Sequence, residues 1–110
     1  MKTLYITDLD GTLLRSDECI SDYTANIINR FIESGGCFSY ATARSIVTAS
    51  KVTNKLKTEF PVICHNGALI ICNRTNELLS NYFTSLEIKF IFDLLNAYNI
   101  YPVVYAYKGG

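Results

Sequence analysis

Two carboxylates stand two residues apart at the end of an apolar run, Asp8 and Asp10 in Leu4-Tyr5-Ile6-Thr7-Asp8-Leu9-Asp10-Gly11-Thr12. Like charges this close are costly to bury unless a cation or a shared proton relieves them. Gly11 lets the backbone turn sharply and aim its N–H groups inward, as a phosphate cradle requires. A carboxylate that attacks phosphorus in line splits hydrolysis into transfer to aspartate and loss to water. The protein's part in such chemistry is mostly placement and neutralisation of charge on the equatorial oxygens. A hard cation with oxygen ligands shares that work. Read for packing alone, the segment is a strand that ends in a polar turn carrying two chance acids.

The acids need a strand behind them and helices around them. Leu4 to Thr7 reads as a buried parallel strand, apolar on both faces. Ser21-Asp22 carries helix-start chemistry, and Ile27, Ile28, Phe31 and Ile32 recur at helical spacing up to Gly35-Gly36, which ends the helix. Cys37 to Ala41 reads as a second strand with the exit turn Thr42-Ala43-Arg44-Ser45. A helix is expected from Ser45 to Leu56, although Val47, Thr48, Val52 and Thr53 lower its propensity. Pro61 to Cys64 reads as a third strand closed by His65-Asn66-Gly67. A hairpin follows, from Ala68 to Cys72, over Asn73 to Asn76, and from Glu77 to Asn81. From Thr84 or Ser85 to Tyr98 an amphipathic helix carries Leu86, Phe90, Ile91, Leu94 and Leu95 on one face, and Tyr101 to Tyr107 has the content of a strand.

Strand and helix alternate, which implies an α/β fold with a parallel sheet. In such sheets ligands bind beyond the carboxyl ends of the strands. The three polar clusters, Asp8/Asp10, Thr42/Arg44 and Asn66/Gly67, all fall at such ends.

The chain has 110 residues, 49% of them hydrophobic, with ten basic and ten acidic side chains. That suits one small domain and gives no electrostatic case for nucleic acid or an anionic membrane. No apolar run reaches the roughly 18 residues of a membrane span. Met1-Lys2-Thr3 leads straight into a strand ending in acids, which does not suit a signal peptide. Cys19, Cys37, Cys64 and Cys72 show no CxxC spacing and read as reduced packing residues of a cytoplasmic protein. Tyr98, Tyr101, Tyr105 and Tyr107 read as core and interface packing, since base stacking would want interleaved arginines.

The string Asp8-Leu9-Asp10-Gly11-Thr12 after a hydrophobic strand resembles the first motif of the haloacid dehalogenase (HAD) superfamily. Ala41-Thr42-Ala43-Arg44-Ser45 resembles the ATGR(S/P) string of its Cof-like (IIB) phosphatase branch, and Asn66-Gly67-Ala68 resembles that branch's NGA segment. The resemblance implies a Rossmannoid core and a Mg²⁺-dependent phosphatase that works through an aspartyl-phosphate on small phosphorylated metabolites such as sugar phosphates. It makes Asp8 the nucleophile and a metal ligand. Asp10 becomes the general acid and then the base, and binds metal through its backbone carbonyl. The N–H groups of Leu9 and Asp10, the Thr42 hydroxyl, and Ala43 and Arg44 would meet the phosphate. Thr42 also reads as an ordinary helix cap, and Arg44 could equally pair with a surface acid. Asn66-Gly67 reads first as turn chemistry, and His65 as a strand-end residue. Ala43 stands where the branch usually has glycine, which would strain the turn if φ there must be positive.

On this reading residues 1–81 are the N-terminal part of the core and 82–110 the start of an incomplete α+β cap. The branch carries a later lysine and an acidic GDxxND-type motif. Lys108 does not match the former, and after Tyr82 the acids are only the isolated Glu87 and Asp93. A weakened Mg²⁺ site and an uncovered sheet edge are therefore expected, with self-association or a complementing chain as the remedy. The alternative function is a truncated, catalytically incompetent module that binds phosphate or a partner chain. A phosphomutase relative would share both acids, whereas a receiver-type switch carries its acceptor on a later strand.

Overall fold

The structure, a computed structural model, describes residues 2–106. The chain divides into two compact units, Met1–Ser80 and Asn81–Gly110.

The first unit is built on a four-stranded sheet of order β1-β2-β3-β4: β1 (Leu4–Asp8), β2 (Cys37–Ala41), β3 (Val62–Cys64) and β4 (Leu69–Ile71). The first three strands are parallel, and β4 runs antiparallel to β3. Helices α1 (Asp22–Glu33) and α2 (Ile46–Val52) make the two crossovers. Ser21 caps α1 by accepting from the Thr24 N–H, and Ser45 caps α2 by accepting from Thr48. The chain leaves α1 through Gly35-Gly36, where a Cβ on Gly36 would meet the Phe31 ring, so a larger residue there must displace that ring. The fully buried side chains include Tyr40, Leu9, Ile20, Ile71 and Val62. The fold class is the expected one, the opening of a Rossmannoid α/β sheet.

Three expectations for this unit are corrected. β1 is parallel but not buried: Leu4, Tyr5 and Ile6 are 45%, 55% and 49% exposed. A buried parallel strand needs a neighbour on each side and a layer on each face, and among the described residues β1 pairs only with β2. Helix α2 stops at Val52, short of Leu56, because Thr53 bonds its hydroxyl back to the Ala49 carbonyl at 2.8 Å and ends the β-branched run. Cys19 is exposed in the loop before α1, whereas Cys37 and Cys64 are buried as expected. The expected hairpin forms, with its second arm reduced to a single bridge between Ile71 and Leu78.

In the second unit α3 (Ser85–Ala97) begins in a capping box, Thr84 accepting from the Glu87 N–H and Glu87 accepting from the Thr84 N–H. The helix buries no residue. Residues 101–106 form no strand, because no ladder partner exists for them among the described residues, and Tyr107 lies outside the described residues. Tyr98, Tyr101 and Tyr105 are exposed, so they do not form part of a core. No helix is long and apolar enough to cross a membrane among the described residues.

Candidate active site

Register brings the strand ends together. Asp8 pairs with Ala41 across β1 and β2, and Ala41 pairs with Ile63 across β2 and β3. The three exit turns therefore leave the sheet side by side.

The first turn is a single wide helical turn over Leu9–Leu13, closed by the Leu14 N–H donating to the Leu9 carbonyl at 2.9 Å. Leu9 is fully buried and pins this turn to the core, which leaves Asp8 and Asp10 on the exposed side. Gly11 has φ +75°, a conformation open to glycine. The Leu9 N–H, expected at a phosphate oxygen, donates instead to Asp8 Oδ1 at 2.7 Å.

The second turn starts at Thr42, which is 4% exposed. Its N–H donates to the Ile63 carbonyl at 2.8 Å, and its Oγ1 accepts from the Arg44 N–H at 3.1 Å. The hydroxyl hydrogen finds no acceptor among the described residues. Ala43 does not adopt positive φ, so alanine replaces glycine here without the strain that a left-handed turn would impose. Arg44 reaches across to the first turn: Nε donates to Asp10 Oδ2 at 2.8 Å and Nη2 to Oδ1 at 2.7 Å. Nη2 also lies 3.4 Å from Glu18 Oε1. These bonds hold the Asp10 carboxyl below its ordinary range and push the guanidinium up.

The third turn supports the second. His65, Asn66 and Gly67 all have positive φ, at 48°, 56° and 95°. The run turns two N–H groups toward the neighbouring exit: His65 donates to the Arg44 carbonyl at 3.1 Å, and Asn66 to the Thr42 carbonyl at 3.0 Å. Sequence reasoning reached the left-handed Asn66-Gly67 pair but not its extension to His65. It also missed Glu18, which has φ 59° and follows the first turn; no spacing rule marks that residue.

No group of three or more His, Cys, Asp or Glu side chains gathers among the described residues. Asp8 and Asp10 supply two hard carboxylates, the donor type that Mg²⁺ takes beside water and substrate phosphate. Arg44 occupies both oxygens of one of them. The donor set thus suits the ion, with the Asp8 side chain the one left open to it.

The curated relatives found by similarity include two phosphatases of Bacillus subtilis. The 5-amino-6-(5-phospho-D-ribitylamino)uracil phosphatase YitU of Bacillus subtilis is 30% identical over 104 residues, which are 92% of this chain and 38% of that protein. A second B. subtilis phosphatase named for the same substrate, YcsE, is 28% identical over 96 residues, 87% of this chain and 39% of that protein. The chain thus spans less than two fifths of the length of these relatives. BT1666 of Bacteroides thetaiotaomicron, a HAD-superfamily phosphatase, superposes with TM-score 0.71 at 19% identity, over 90% of this chain and 37% of that one. A haloacid dehalogenase-like hydrolase from B. subtilis gives 0.65 at 25% identity, over 88% and 34%. The family model described as haloacid dehalogenase-like hydrolase matches residues 5–110. By that match, and with three strand-end turns built around its acid pair, the chain belongs to the haloacid dehalogenase-like hydrolases.

Proposed function

We propose that this chain carries the nucleophile half of a Mg²⁺-dependent phosphatase site, acting on small phosphorylated metabolites such as sugar phosphates through an aspartyl-phosphate. The observation that supports it most is the side-by-side exit of β1 and β2, with Asp8 paired to Ala41 immediately before Thr42. The two B. subtilis relatives are named for a ribityl phosphate, a substrate of the proposed class.

Asp8 is the nucleophile. The Leu9 N–H holds Oδ1, which leaves Oδ2 to form the bond to phosphorus as the ester P–O bond breaks. Asp10 gives a proton to the departing oxygen, then takes one from the water that attacks phosphorus and frees Asp8. The Thr42 hydroxyl and the Asp10 and Ala43 N–H groups are the donors for the phosphoryl oxygens. Mg²⁺ would be held by the Asp8 carboxylate and the Asp10 backbone carbonyl, and when bound it neutralises charge on the phosphate. On this reading residues 1–81 belong to the catalytic core and 82–110 open a cap that shapes specificity.

Phosphate release from a panel of sugar phosphates, with and without Mg²⁺, tests the reading. Turnover should require Mg²⁺ and vanish in Asp8→Asn, and Asp10→Asn should lose about 10²–10⁴-fold. Retained turnover in Asp8→Ala would sink the mechanism. The absence of any three-ligand group among the described residues favours a second reading, a module that binds phosphate or a partner chain without turnover. Vanadate binding with no phosphate release at any Mg²⁺ concentration would select it.

A further inference from the structure

We propose that Arg44 is a positioning residue for the Asp10 acid/base rather than a ligand for the substrate phosphate. The inference rests on the phosphatase reading and assigns one of its residues a different task.

Two of the three Arg44 guanidinium nitrogens are committed to Asp10. Nε and Nη2 form two near-parallel bonds to the two Asp10 oxygens, at 2.8 and 2.7 Å. A fork of this kind fixes the plane of a carboxylate, which a single hydrogen bond does not. It uses one lone pair on each oxygen and leaves another on each for a proton. A carboxyl that passes a proton to a leaving group and takes one from water acts through those remaining lone pairs, so the plane the fork fixes sets where the proton goes. Asp10 stands in an exposed turn with its side chain 50% exposed, so little else holds its rotamer.

Charge points the same way. Glu18 Oε1 lies 3.4 Å from Nη2, so two carboxylates already surround one guanidinium. With both carboxylates ionised the cluster carries a net charge of about −1, and with Asp10 protonated it is neutral, so the guanidinium has no surplus positive charge to draw an incoming dianion. Thr42 and Ala43, by contrast, carry no charge that opposes a phosphate.

The Arg44 backbone is also held on both sides. Its N–H donates to Thr42 Oγ1 at 3.1 Å, and its carbonyl accepts from the His65 N–H at 3.1 Å. The side chain is 19% exposed. Arg44 therefore ties the exit of β2 to the exit of β1 across 34 positions of sequence.

The test follows the Arg44 Nε–H signal by NMR in the ¹⁵N-labelled 110-residue chain. In Asp10→Asn this signal should shift and exchange faster with solvent; an unchanged signal would overturn the proposal. Inorganic phosphate with Mg²⁺ should move the Thr42 and Ala43 amides and leave the Nε–H in place, whereas an Nε–H that moves with them makes Arg44 a phosphate ligand and overturns it. If phosphate moves none of these signals, the phosphatase reading fails and takes the acid/base role with it, while the Asp10→Asn comparison still reports the pair by itself. In turnover, Arg44→Met should lower kcat by about 10²-fold with KM within about twofold, and Arg44→Lys should recover part of the loss. A raised KM at unchanged kcat would contradict positioning.

Discussion

Helices α1 and α3 are nearly equal in length, 12 and 13 residues, and each starts in a side-chain cap. Their surroundings differ. Helix α1 packs on β2 and buries Ala25. Helix α3 buries nothing, with Leu86 and Phe90 81% and 68% exposed. The side-chain bonds differ in the same sense. In the first unit several of them join distant segments: Asn29 donates to the Lys55 carbonyl and accepts from the Lys57 N–H, Ser39 donates to Pro61, Asn73 to Thr58, and Thr58 to Phe38. In the second unit they stay local, between Thr84 and Glu87 and between Lys89 and Asp93. Caps and periodicity are enough to form a helix, but burial needs a partner surface, and only the first unit supplies one among the described residues. The candidate site lies wholly in that first unit.

The sharpest way to break this contrast is to remove one large side chain from each unit. Tyr40→Ala should cost about 3–5 kcal/mol, because this β2 side chain is fully buried. Phe90→Ala should stay within about 0.5 kcal/mol. Urea midpoints compare the two, and equal losses would dissolve the distinction. Next in size is Asn29→Ala, which leaves the Lys55 carbonyl and Lys57 N–H without their partner and should cost about 1–2 kcal/mol in the same assay. Thr84→Ala, which removes the capping box, should lower α3 stability by about 1 kcal/mol. The change should be read as lost amide protection from Ser85 onward, with the urea midpoint of the sheet unmoved.

The smallest effect is on pH. Arg44 holds the Asp10 carboxyl below its ordinary value. The pair therefore adds stability that is present above the ordinary carboxylate range and is lost as pH falls through the lowered value. Urea midpoints between about pH 5 and pH 2 should fall less steeply in Arg44→Met than in the parent chain.

Much of the first unit was legible because its signals are local. The Asp8-Leu9-Asp10-Gly11 string, the Ser21 cap and the Gly35-Gly36 stop each act within a few residues. The parallel order of β1, β2 and β3 followed from the alternation of strand and helix. The exposure of β1 was not legible, because Leu4-Tyr5-Ile6 has the composition of a buried strand and burial depends on neighbours rather than on the strand. Nor did Tyr101 to Tyr107 reveal the absence of a ladder over 101–106, for the same reason. Within the candidate site, Asp8 and Asp10 are proposed from their spacing and Thr42 from the family resemblance. The Arg44 fork was not legible, since two turns 34 positions apart meet only through strand register.

The most direct test of the central claim, that Asp8 accepts the phosphoryl group, is borohydride trapping during turnover of a sugar phosphate with Mg²⁺, followed by peptide mapping. An acyl-phosphate on Asp8 would be reduced to homoserine at position 8, only when substrate and Mg²⁺ are both present. Phosphate release with Asp8 recovered unmodified, or with the reduced residue elsewhere in the chain, would contradict the account.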